Sequence, residues 1–174
     1  GQAGLLASFG AGGLPPDTVE AGLLKIKAGL SEGQAWCANL IHSPFDPSLE
    51  RSNVDLFLKH GVSVIAASAV MSITPSIVRY RAAGLSVGAD GQTVIGNRII
   101  AKMSRTELAE LFLAPPDDAL LDRLLRDGDI TPTQRRLAAT LPLCDFLTCE
   151  ADSGGHTDNR SAMVLLPTVL SVRD

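Results

Sequence analysis

Short apolar runs alternate with amphipathic segments along this 174-residue chain, and that alternation limits its fold more than any other feature. Leu5-Leu6-Ala7-Ser8-Phe9 reads as a strand closed by the turn Gly10-Ala11-Gly12-Gly13. A helix should follow, with Asp17 and Glu20 at capping-box spacing and Val19, Leu23, Ile26 and Leu30 on one face. Ala35 to Ile41 is the next strand, and Asp46-Pro47 opens a helix that buries Val54, Phe57 and Leu58 and stops at Gly61. Val62 to Ser68 is a third strand, and Thr74-Pro75 opens a helix ending at Gly84.

Asp90-Gly91, set between Leu85-Ser86-Val87 and Thr93-Val94-Ile95, signals a hairpin. Arg98 to Lys102 then reads as a strand. Ser104 and Glu107 have capping-box spacing ahead of Leu108, Leu111 and Phe112. Leu120, Leu121, Leu124 and Leu125 form a helical stripe, and Thr131-Pro132-Thr133-Gln134 caps one more helix. Phe146 to Glu150 is the last clear strand, and Met163 to Val172 reads as a further helix interrupted by Pro167.

Repetition of this kind predicts a parallel sheet with helical crossovers. Pattern alone admits an open doubly wound sheet or part of an eight-stranded barrel, which needs about 250 residues. The chain opens on Gly1 at the approach to a strand and closes at Asp174 by an apolar run, so we expect an excerpt of a longer domain.

Composition narrows the partners. The net charge of -4, with no basic stripe, argues against nucleic acid. The longest apolar run, Val62 to Ile73, is too short to span a bilayer, and no signal peptide is recognisable. Cys37, Cys144 and Cys149 are an odd number without C-x-x-C spacing, which points to a reduced, cytoplasmic setting.

The segment from Glu150 to Arg160 carries the densest chemistry. A strand ends in a carboxylate, followed by Ser153, Gly154, Gly155 and His156. In parallel α/β folds the C-terminal ends of strands are where chemistry sits. The glycine pair lets backbone approach a phosphate or ring closely, and His156 can act as acid or base near neutral pH. A tight turn with an exposed histidine is the plain structural alternative. Glu150, Asp152, His156 and Asp158 also form a possible metal set, but their spacing matches no strong metal motif.

Asn39 and Lys102 are polar residues near the ends of apolar strands, suited to the polar edge of a flavin or a phosphate. Lys102 can instead snorkel to solvent, and Asn39 can cap a loop. His42 sits on the same expected edge, where it faces ligand or bonds loop backbone. Ser68 and Ser72 flank the end of the third strand and can line the same pocket. His60, near a helix C-terminus, reads as structural. Gly10-Ala11-Gly12-Gly13 lacks the third glycine of a dinucleotide fingerprint, and no nucleophile elbow supports a hydrolase.

Several of these segments occur together in one order. They are Gly12-Gly13-Leu14-Pro15, Asn39-Leu40-Ile41-His42-Ser43-Pro44, Thr74-Pro75 with Val78-Arg79-Tyr80-Arg81, Asn97-Arg98-Ile99-Ile100-Ala101-Lys102 and Glu150-Ala151-Asp152-Ser153-Gly154-Gly155-His156-Thr157-Asp158-Asn159-Arg160. The chain thereby resembles the enoyl reductase subunit of bacterial polyunsaturated fatty acid synthases and the trans-acting enoyl reductases of polyketide synthases. Both lie within the nitronate monooxygenase-like FMN-dependent family.

The resemblance implies a partial TIM (β/α)8 barrel, with residues 1–174 as one domain forming its middle portion. It implies a cytoplasmic FMN-dependent enoyl reductase that uses NAD(P)H to reduce an α,β-unsaturated thioester on an acyl carrier protein. Asn39 and Lys102 match family residues beside the flavin, and Gly154 and Gly155, grouped with Ser153, match the cofactor-contacting segment. His156 matches the catalytic histidine; His42 and Ser68 are assigned to substrate. No resident metal is expected. A nitronate monooxygenase-type oxidase and a non-catalytic carrier-protein docking subunit are the alternatives.

Overall fold

The computed structural model describes residues 5–31, 33–149 and 170. Its centre is a five-stranded sheet of β1 (Ala7–Gly10), β2 (Trp36–Ile41), β3 (Val64–Ser68), β6 (Arg98–Met103) and β7 (Phe146–Cys149). All neighbouring pairs run parallel, and the strands lie side by side in the order of the chain. Strands β4 (Leu85–Val87) and β5 (Thr93–Ile95) form the separate antiparallel hairpin expected at Asp90-Gly91.

Helices α1 (Pro16–Gly29), α2 (Pro47–Lys59) and α3 (Pro75–Ala83) fill the first three crossovers. Helices α4 (Thr106–Leu113), α5 (Asp118–Arg126) and α6 (Pro132–Ala138) fill the connection from β6 to β7. α1 packs on α2 and α2 on α3, forming one continuous layer. Right-handed crossovers between strands laid down in sequence always return on the same side. The sheet therefore has one helix-covered face and one bare face, and it is not closed among the described residues.

Side-chain alternation makes the two faces chemically different. Ala38, Ile65 and Ile99 are registered across β2, β3 and β6, as are Leu40, Ala67 and Ala101, and all six are buried under the helices. The opposite face carries Ser8, Gly10, Asn39, Ile41, Ile100, Lys102, Phe146 and Thr148, all half-buried or exposed, with Cys37, Ala66 and Ser68 buried among them. Phe146 is 58% exposed there.

Local signals explain most boundaries. Asp46 and Thr74 accept backbone N–H bonds from Leu49 and Ile77, and Thr131 and Gln134 form a reciprocal capping box. Gly61, at φ 64°, ends α2 with Gly61 N donating to Leu58 O and Val62 N to Phe57 O, a Schellman closure. That closure uses Val62, so β3 begins at Val64 and not at Val62.

Two expected capping boxes do not form. Pro15 is the N-cap of α1, and the fixed φ of Pro16 starts the helix there, leaving Asp17 inside the first turn. β6 runs on to Met103, so the chain turns at residues 104–105 and α4 begins at Thr106 behind Arg105. The expected helix from Met163 to Val172 and the segment from Glu150 to Arg160 lie outside the described residues. Among the described residues no helix is long and apolar enough to cross a membrane.

Candidate functional site

The C-terminal half of the bare face brings together three of the residues singled out in the sequence. Asn39 is registered with Gly10 on β1 and Ala66 on β3, and Ala66 with Ile100 on β6. One step of two residues further along, Ile41 is registered with Ser68, and Lys102 with Thr148. Ser68 follows the Ala67–Ala101 pair, which sets it beside Lys102 on the same face. Ser68 Oγ donates to Asn39 Oδ1 at 2.8 Å.

This surface suits a flat ligand with an acceptor edge. Gly10 and Ala66 flank Asn39 and provide a low floor, and a Cβ built at Gly10 meets nothing within 4 Å. Asn39 and Lys102 add an amide and an ammonium donor at the rim. Backbone tension accompanies them. Ala69, directly after Ser68, holds φ at 55°, a left-handed conformation that costs a residue with a Cβ about 1–2 kcal/mol. At Gly12 a Cβ would lie 2.1 Å from Ile41 Cδ1, so a larger residue there would require the end of that side chain to move.

His42 is placed differently. It follows Ile41, so its ring turns to the helix-covered side of the same edge. Its Nδ1 lies 3.0 Å from Glu50 Oε2, with the side chains 8% and 3% exposed. Glu50 also accepts from the Thr74 hydroxyl and from Ser43 N at 3.4 Å. These groups line a cleft of about 370 Å³ together with Ser72, Ser76 and Arg123. The structure thus separates His42 and Ser72 from the face carrying Asn39, Ser68 and Lys102.

Glu50 is the residue that sequence reading missed. It sits four and seven positions before Val54 and Phe57, on the buried stripe of α2. A carboxylate at an apolar position of that stripe is the signal that identifies it. His60 takes the structural place expected of it: it caps α2, and its Nε2 lies 2.7 Å from Glu20 of α1.

Two cysteines flank β7, one at each end, and both are held protonated. Cys149 ends β7, and burial raises its thiol above the ordinary value. Burial likewise pushes Cys144 up to about 11. Both stay protonated at neutral pH and are poor nucleophiles. Among the described residues no group of His, Cys, Asp and Glu is arranged to hold a metal. Glu150, Asp152, Ser153, Gly154, Gly155, His156 and Asp158 lie outside the described residues.

This parallel α/β fold is shared with a solved enoyl reductase domain. The whole chain superposes on the enoyl reductase domain of MlnA, from the macrolactin biosynthesis cluster of Bacillus amyloliquefaciens, with TM-score 0.88 and 36% identity, covering 39% of that chain. No protein-family model matches the chain. It is 54% identical over all 174 residues to a polyunsaturated fatty acid synthase subunit of a Thraustochytrium species, covering 12% of that protein. It is 42% identical over 173 residues to the polyketide biosynthesis protein PksE of Bacillus subtilis, covering 23% of it. The chain spans between 8% and 23% of the curated relatives it matches. Its homologues are thus polyunsaturated fatty acid synthase subunits and polyketide biosynthesis proteins, in keeping with the resemblance carried by the motifs.

Proposed function

We propose that this chain is the middle portion, as a single domain, of an FMN-dependent (β/α)8-barrel enoyl reductase acting in polyunsaturated fatty acid or polyketide synthesis. The observation that carries the reading is the donor pair Asn39 and Lys102 on the bare face of a sheet whose strands run in sequence order. A doubly wound sheet reverses its strand order and takes helices on both faces. An arc with helices on one side only is what a barrel wall requires, its bare face becoming the interior.

FMN, when bound, supplies the hydride chemistry that links NAD(P)H to the β-carbon of an unsaturated acyl thioester. The side chains of this chain do the rest. Asn39 and Lys102 fix the ring and stabilise negative charge at its edge. Ser153, Gly154 and Gly155 approach the cofactor, and His156 holds or relays the proton delivered to the α-carbon. His42 meets substrate from the rim cleft. The thioester is presented by an acyl carrier protein, and the setting is cytoplasmic, consistent with three free cysteines.

The test is a visible spectrum of the full-length protein. Flavin bands that bleach with NADPH and recover on addition of an enoyl thioester are the expected result. Oxygen consumption with an alkyl nitronate and no turnover of thioester would transfer the protein to the oxidases of the same cofactor class. A full-length protein that stays colourless with added FMN would overturn the flavin reading.

A further inference from the structure

We propose that Ser68 is a positioning residue whose hydroxyl holds the Asn39 amide with its NH₂ directed at the ligand, an inference that rests on the flavin reading above. The anchoring is visible in the contacts. Ser68 Oγ donates to Asn39 Oδ1 at 2.8 Å, which engages the one acceptor atom of that amide and fixes which way it faces. What Asn39 then offers the bare face is a pair of N–H donors.

Ser68 is itself held on both sides. It is 9% exposed, and its own carbonyl accepts from His42 N at 3.0 Å, locking it to the end of β2. Immediately after it the chain takes the left-handed turn at Ala69, which prevents β3 from running on. Strained backbone of this kind persists where the surroundings over-determine it, and it is often found at functional sites. The serine is therefore a rigid anchor for its neighbour.

Lys102 stands beside Ser68 on the same face, at the step after the Ala67–Ala101 pair. An ammonium has three donors and no acceptor. With the amide oxygen of Asn39 turned to Ser68, this part of the rim presents the N–H donors of Asn39 beside the positive charge of Lys102. That is the complement of the acceptor-rich pyrimidine edge of FMN, whose negative charge grows on two-electron reduction. An unanchored amide could rotate and set its oxygen against that charge. Ser68 thus tunes the relative affinity for reduced and oxidised cofactor without itself touching the reacting atoms.

The experiment measures FMN affinity and midpoint potential in the full-length, FMN-loaded protein. Ser68→Ala should weaken reduced FMN about tenfold more than oxidised FMN, lowering the two-electron midpoint by about 30 mV. Ser68→Thr, which keeps the hydroxyl, should restore the wild-type potential. Asn39→Asp replaces the donors by an acceptor and should lower the potential whatever happens to Ser68; a value at or above wild type overturns the proposal. So does a Ser68→Ala protein that holds FMN at an unchanged potential, since a purely structural serine would alter stability and not this ratio. Failure of the wild-type full-length protein to bind FMN sinks the flavin reading itself, a separate result from an FMN-loaded variant that behaves as wild type.

Discussion

At the N-terminal ends of the strands, polar side chains are turned onto the protein's own backbone and onto one another; at the C-terminal ends, several lie on the bare face of the sheet. Arg81 of α3 is 2% exposed and donates to Asp145 at 2.8 and 3.0 Å, to Asn97 O at 3.0 Å and to Pro142 O at 3.2 Å. Asp145 in turn accepts from Ile99 N at 2.8 Å, Asn97 donates to Tyr80 O, and the Tyr80 hydroxyl donates to Val62 O at 2.7 Å. Loops entering β3, β6 and β7 are all stitched to one helix end by this set. Asn39 and Lys102, by contrast, sit on the bare face. Residue type does not decide the role: an arginine and an asparagine are structural at one end, and a lysine and an asparagine are candidates for ligand contact at the other. In parallel α/β proteins the two ends of the strands divide stability and chemistry in this way.

Substitutions at the two ends should therefore fail differently. The largest effect is expected at Asp145. Its replacement by Ala strands the buried guanidinium of Arg81, at a cost of about 3–5 kcal/mol. Urea unfolding should show it as a lower midpoint, with FMN affinity of the remaining folded protein nearly unchanged. Next comes Lys102→Met in the full-length protein. Loss of a charge-assisted contact of about 1.5–3 kcal/mol should weaken FMN tenfold or more, read by flavin titration, a larger effect on FMN than Asp145→Ala produces. If this variant lost stability and kept its flavin, the division between the ends would be broken.

Tyr80→Phe should cost about 1–2 kcal/mol in unfolding experiments, because Val62 O loses its donor. Burial raises the Tyr80 hydroxyl far above its ordinary range, so this contribution should not vary through neutral pH. The smallest effect lies on the outer layer. Arg51 donates two bonds to Asp129, at 2.7 and 3.0 Å, and its guanidinium holds that carboxyl below its ordinary value of 3.8. A lowered folded-state value means stability that is complete above pH 3.8 and fades as pH falls through the lower value. Asp129→Asn should remove this acid-limb dependence, worth less than about 1 kcal/mol, when urea midpoints at about pH 6 and about pH 3 are compared.

Much of the fold was legible because the sequence marks it locally. Asp46-Pro47, Thr74-Pro75, Thr131-Gln134 and Asp90-Gly91 each carry a cap or turn whose chemistry is complete within a few residues, and each appears where expected. Spacing failed where a competing signal lay next to it, as at Pro15-Pro16 before Asp17 and at the extended β6 before Ser104. Sheet order and the bare face are long-range properties, which periodicity cannot supply. Asn39 and Lys102 could be picked out as polar interruptions of apolar strands. Glu50 was hidden because its partners His42 and Thr74 are 8 and 24 residues away, and only folding brings them together. The direction of His42 was not legible for a related reason: being on an edge does not say which way a side chain turns.

The strict two-residue rhythm of β2, β3 and β6 has a consequence for how such a protein can vary. Deleting or inserting one residue inside any of these strands would exchange its two sides, sending Leu40, Ala67 or Ala101 to the bare face and turning Asn39, Ser68 or Lys102 beneath the helical layer. Change of length is therefore confined to the connections, and the β4–β5 ribbon between α3 and β6 is a natural place to absorb it. A designer wishing to graft a new element onto this chain, or to split it, would begin at that ribbon and leave the strands' residue count untouched.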